Sequence, residues 1–331
     1  MQATWDKYSI KGWDVPSGYS HEQSYLSDQI IDRVLNTVQP YIDQARLIPE
    51  QHYSFNAPDT FSYSVSMEKA RAQTQDTISS LSNRFDGAVL TADKTEKIII
   101  TPINRKQTHG HGYCSGPWLV WAFDNSINNP IYFSHEFGHY LGHTSADSMP
   151  PWSVTEWQSH FVHLEQLERL TDGNVMGDGA SKVASTHRHL ELHQNLMLLD
   201  RGLNAIEKLK TSNVTRKDKS SLNYQAHYVH AHSTAIFIAI ALREKFKKAP
   251  LSLREKMLDS LYQQGYKTTP QNILSTFGLG SEGELEKHIK IGLEKMEFDA
   301  NKNLRPRHQT VKESLNALRF CTANTACLRN G

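Results

Sequence analysis

The sequence predicts an α+β fold, with a small mixed or antiparallel sheet in an N-terminal lobe and a mostly helical lobe after it. One histidine-bearing helix stands at their junction. Two observations carry this. Strand-like runs rich in aromatic and β-branched residues all precede Asp124, and beyond Asn129 the apolar positions recur almost wholly at helical spacing. The expected division is 1–146, an α/β lobe that includes the junction helix, and 147–331, a helical lobe. A chain of 331 residues, 38% apolar and 21% charged, is long enough for two lobes around a shared cleft.

The elements follow in order. Residues 21–48 read as a helix, because Ile30, Ile31, Val34, Leu35 and Val38 fall on one face before Pro40 interrupts. Residues 61–66 alternate like a short strand, and 68–84 form a second helix that the Asp86-Gly87 turn ends. Lys97 to Ile103 and Trp118 to Phe123 are strands, separated by the flexible run His109-Gly110-His111-Gly112. Asn129 and Pro130 supply a cap and a first-turn proline for a helix running to Gly142. Further helices are expected at 153–170, 182–211, 222–247, 252–264, 270–277 and 281–296. The last opens with Ser281 and Glu284 in capping-box spacing, and Gly278 closes its predecessor.

Several classes are disfavoured. A net charge of +1 gives no basis for binding nucleic acid or an anionic membrane surface. The longest apolar run, Ala235 to Leu242, is too short to span a bilayer. Trp5, Asp6 and Lys7 stand where a secretory signal needs an apolar core. The expectation is therefore a secreted or periplasmic mature fragment, with the cell interior as the alternative. Of three cysteines, Cys321 and Cys327 are near enough to close a small loop, which leaves Cys114 over. The 17 histidines fall in clusters, which favours a metal without placing it.

His135-Glu136-Phe137-Gly138-His139 places one. Histidines four apart project from one helix face, so both imidazoles can hold a single Zn²⁺. Glu136 lies one residue along, close enough to take a proton from a water activated there. By composition alone the pattern arises in roughly one such chain in twenty, so its context matters. That context is a helix preceded by a strand and lined by Phe133, Phe137, Tyr140 and Leu141.

Catalytic zinc usually takes three protein ligands. His143, Asp147 and Glu156 are all candidates for the third. Glu156 also sits in S-x-x-E spacing with Ser153, so a capping box is the rival account of it. His160 and His163 share its helix face.

The stretch HEFGHYL…MPPWSVTEW resembles the gluzincins, the thermolysin-like zinc metallopeptidases whose motif is completed by a downstream glutamate. Many members carry a proline and a tryptophan shortly before that glutamate. The resemblance implies zinc held by His135, His139 and Glu156, Glu136 as general base, and a peptide or protein substrate. It extends over roughly residues 97–296, since Tyr228 to Lys245 looks like the superfamily's tyrosine-containing helix. Tyr228 is thereby implied as the donor to the oxyanion, with His230 and His232 as rivals. One departure is Trp157, where many relatives have glycine.

The metzincins are the competing likeness. Gly142 fits their glycine and Asn174-Val175-Met176-Gly177 looks like their Met-turn, but Ser145 stands where their third histidine should be. His143 would serve only with a two-residue deletion. The remaining readings are an inactive member of the same fold kept for binding, and a non-peptidase metal hydrolase or metal-sensing module. For an extended peptide, Trp118 to Phe123 is the expected edge strand, with Ala122 near its cleft end.

Overall fold

The computed structural model describes residues 26–47, 64–102, 112–115, 117–123, 128–146, 150–172, 178–211, 221–222, 225–226, 229 and 232–296. The first helix, α1 (Asp28–Arg46), is started by Ser27, whose side chain accepts from the Ile30 N–H. Its stripe of Ile30, Ile31, Val34, Val38 and Ile42 is buried, and the helix continues through Pro40 instead of breaking there. Proline removes the bond to the Asn36 carbonyl, but Pro40 and Asn36 both face solvent, where water takes the donor's place.

The second helix, α2 (Met67–Leu81), is capped by Ser66, which accepts from the Lys69 N–H. Residues 64–66 are its extended lead-in and not a strand; the rest of the expected strand, 61–63, lies outside the described residues. Gly87, at φ +71°, makes the left-handed turn the sequence marked. A short helix that the sequence reading missed follows it, α3 (Ala88–Lys94), which buries Val89 and Ala92.

Three strands form a mixed sheet: β1 (Ile98–Pro102), β2 (Gly112–Ser115) and β3 (Trp118–Phe123), in the order β1-β3-β2. The first pair is parallel, with Ile98 opposite Leu119, and the second antiparallel, with Cys114 opposite Leu119. The expectation that Trp118 to Phe123 is an edge strand is therefore wrong. Both its sides are paired, and among the described residues β2 is an edge. Only four residues long and opened by glycine, β2 lacks the aliphatic signal that marks strands. The glycine is needed: a Cβ at Gly112 would lie 2.5 Å from the Trp121 ring and 2.7 Å from the Val120 carbonyl oxygen.

Helices account for most of the rest: α4 (Asn128–Thr144), α5 (Trp152–Thr171), α6 (Asp178–Thr211), α7 (Ala235–Lys248), α8 (Leu251–Leu258), α9 (Pro270–Thr276) and α10 (Glu284–Lys295). Every residue of α7 from Ala235 to Glu244 is buried, so it is a central helix, surrounded on all sides. It starts later than position 222, although residues 221–222, 225–226 and 229 are helical too. A single π turn, Asp259–Gln263, extends α8. Gly278, at φ +67°, ends α9 as expected: the Leu279 N–H donates to Leu274 and the Gly278 N–H to Ser275. The capping box expected at Ser281 and Glu284 is absent. Gly283, at φ +77°, caps α10, and Ser281 accepts through its carbonyl.

Buried apolar residues from Leu26 to Met296 form one continuous core. Arg33 of α1 pairs with Glu286 of α10 at 2.9 Å and also donates to the Leu279 and Ser281 carbonyls. Among the described residues, no helix is long and apolar enough to cross a membrane.

The contact that positions the candidate site is between α4 and α5. Gly138 and Gly142 lie four apart on α4, and α5 presses on both. A Cβ at Gly138 would stand 2.6 Å from Ser159 Cα and 2.8 Å from the Gln158 carbonyl oxygen. One at Gly142 would collide only with the Gln158 side chain. Backbone cannot yield as a side chain can, so the two positions should differ. Gly138→Ala is expected to cost about 1–3 kcal/mol despite the helix propensity gained. Gly142→Ala should cost less, limited by the Gln158 hydrogen bond to the Leu261 carbonyl at 2.6 Å. Urea unfolding of the two variants checks this, and equal midpoints would argue against the close backbone approach.

Candidate metal centre

Two helices bring the donors together. His135 and His139 leave α4 one turn apart, and Glu156 leaves the first turns of α5. Glu156 Oε2 lies 3.7 Å from His135 Nε2, and Oε1 lies 3.5 Å from His139 Nε2. One donor atom from each residue fits within a 4.8 Å cluster, and this is the one such histidine, cysteine or carboxylate group of three or more among the described residues. Two imidazoles and one carboxylate suit a borderline-soft divalent cation such as zinc. The side chains retain 18%, 13% and 9% exposure, which shields the charge of a bound ion yet leaves an approach.

The rival capping role of Glu156 is not realised. The N-cap of α5 is Pro151, with no side-chain capping bond, and the Ser153 hydroxyl has no hydrogen-bond partner among the described residues. Glu156 is left to face imidazoles. Burial alone would push its carboxyl up. His139, His232 and His135, together with a hydrogen bond from His232, outweigh this and hold it well below the ordinary carboxylate range.

Burial drives His135 and His139 the other way, towards the neutral form that ligates a metal. The Thr155 carbonyl accepts a hydrogen bond from the His139 ring. A bond of this kind orients the ring, the usual arrangement behind a ligating histidine. Glu136 points to the sheet. Its carboxyl is pushed up to about 8, by burial first and by Glu156 second, against a hydrogen bond accepted from the Cys114 backbone N–H. That bond places the outward edge of β2 next to Glu136.

The other sequence candidates fall as follows. His143 ends α4 outside the three-residue group, with a buried Nδ1 that has no hydrogen-bond partner among the described residues. Asp147, Tyr228, His230 and the run 174–177 lie outside the described residues, as do Cys321 and Cys327. His232 is described: its Nδ1 is 3.3 Å from Glu156 Oε1, closer than either HExxH imidazole. Sequence reasoning had it only as a rival to Tyr228.

No protein-family model matches the chain, and no curated protein does either. Solved structures do. PZ peptidase A with inhibitor 2 superposes at a TM-score of 0.55 and 10% identity, over 84% of this chain and 60% of that one. The chain shares this peptidase's fold. A protein described as an oligoendopeptidase F from Bacillus anthracis str. Ames gives 0.54 and 12%, over 85% of this chain and 57% of that one. A further structure described as an oligoendopeptidase F gives 0.54 and 11%, over 84% and 59%. The chain thus spans about 60% of the length of the peptidases whose fold it shares. The α+β class and the mostly helical balance expected from the sequence agree with the observed architecture.

Proposed function

We propose that the protein is a zinc peptidase in which His135, His139 and Glu156 hold the metal and Glu136 is the general base. The observation that carries this reading is the convergence of the three donor groups within 4.8 Å, across the contact between α4 and α5. Zinc, when bound, supplies Lewis acidity and lowers the pKa of a coordinated water from 15.7 to roughly 7. The chain's own groups do the rest. Glu136 accepts the water's proton at its carboxylate and returns it to the leaving amine, as a general base that becomes a general acid.

An extended peptide that took over the Cys114 N–H from Glu136 would pair with the outer edge of β2 and free that carboxyl beside its scissile bond. Tyr228 is the donor the gluzincin resemblance implies for the developing oxyanion. The peptidase fold of the solved relatives supports the same substrate class.

Two measurements test this together. Protein grown with ample zinc should contain about one equivalent per chain by elemental analysis. It should also cleave an unstructured peptide library, with activity removed by a chelator and restored by zinc. Absence of stoichiometric metal removes the central claim. Zinc without cleavage of any library member would favour the inactive binding form of the fold.

A further inference from the structure

Behind the candidate centre lies a second buried cluster that the proposed chemistry leaves unused. Glu156, His160 and His163 recur at i, i+4 and i+7 on α5, so one helix face carries a metal donor and two further imidazoles. His163 is fully buried and held at both ends. Its Nδ1 lies 3.1 Å from the Ile131 carbonyl oxygen, in the first turn of α4, and its Nε2 lies 2.6 Å from Glu191 Oε2 on α6. The Ile131 carbonyl can only accept, so Nδ1 carries the hydrogen on that side and Nε2 faces the Glu191 carboxyl. The Glu191 carboxyl is held at about 2 against burial, chiefly by His163.

This clamp bears on a ligand. The His135 ring stands edge to face with three others: His160 at 4.8 Å and 76°, His139 at 5.1 Å and 85°, and His163 at 5.6 Å and 88° between centroids. His135 is thereby walled in by two rings of α5 as well as by its own helix neighbour. The carbonyl that His163 grips is four residues before His135, so the same imidazole fixes both the backbone that carries the ligand and one wall of its ring.

We propose that His163 and Glu191 are a positioning pair for His135, through which a carboxylate on α6 sets the metal affinity of the centre. The inference rests on the reading of that centre as a metal site. An apolar pair of similar volume would hold three helices together at least as well, since a buried ion pair seldom adds net stability. What it could not do is fix the direction of a neighbouring ring. Removing a group that hydrogen-bonds a ligand commonly costs about 10–100-fold in affinity, and a residue that holds the ligand's backbone and one wall of its ring acts by the same route.

The test uses the full chain in three forms, wild type, His163→Leu and Glu191→Gln. Zinc affinity is measured by competition with a chromophoric chelator, ligand geometry by the visible absorption of the Co²⁺-loaded protein, and stability by melting of the metal-free protein. His163→Leu is expected to bind zinc about 10–100-fold more weakly, with a changed Co²⁺ spectrum. Glu191→Gln keeps the volume and one acceptor oxygen, so it should fall between that variant and wild type. Wild-type affinity and spectrum in both variants, whatever their melting temperatures, would reduce the pair to a structural one. If His163→Leu does not fold, Glu191→Gln decides alone: weaker binding with a shifted spectrum supports positioning, and unchanged values overturn it. Failure of the wild type itself to take up zinc would instead sink the reading of the centre, and this inference with it.

Discussion

Glu136→Gln is expected to abolish peptide hydrolysis while leaving the fold and the zinc in place. The substitution is isosteric, and the glutamine oxygen can still accept from the Cys114 N–H that Glu136 uses. Nothing in the packing therefore suffers. What disappears is the group that takes the water's proton. General-base catalysis contributes typically about 10²–10⁴-fold, and a site with a single such carboxylate should lie at the upper end. The comparison to make is kcat/KM on one peptide, with zinc content measured on the same samples. A glutamine variant that keeps more than about a tenth of wild-type activity would remove Glu136 from the role of base.

The parts legible in the sequence were those where pattern and environment agree. The α4 helix could be read from Pro130 near its start and from an apolar face of Phe133, Phe137 and Leu141, all of which are buried; Asn129, expected as its cap, lies inside the helix and accepts from Trp121 Nε1. The Gly278 turn could be read because a left-handed residue that follows an apolar helix has few other uses. Failures came where a local rule met a tertiary override. Pro40 did not break α1, because the bond it forfeits faces water. The Ser153 and Glu156 spacing mimicked a cap, yet Pro151 starts that helix and the glutamate turns to histidines from other elements. β2 was lost inside a glycine- and histidine-rich run, and with it the identity of the edge strand. Gly138 and Gly142 read as parts of a motif and a helix end, when their work is to let α5 approach. The pairing of His163 with Glu191 spans 28 positions between two helices, and no spacing rule within one element can find it.

Glu156→Ala is expected to strip zinc and activity together, whereas His143→Ala should keep both. The two residues divide the gluzincin reading from the metzincin one, and the geometry treats them differently. Glu156 faces His135, His139 and His232 at 3.7, 3.5 and 3.3 Å. His143 stands one turn beyond His139 at the end of α4, outside the donor group. Removing Glu156 leaves two imidazoles, too few for a catalytic zinc site that normally takes three protein ligands. The metal-free protein should still fold. The carboxylate of Glu156 is costly to bury, and alanine abolishes that cost along with the pairing. A glutamate that served only as a helix cap would behave otherwise, losing roughly 0.5–2 kcal/mol of stability with its zinc retained. Bound zinc and melting temperature, measured for both variants with and without chelator, separate these cases. If zinc stays with Glu156→Ala and leaves with His143→Ala, the third ligand is the histidine, and the active site must be rebuilt around the end of α4.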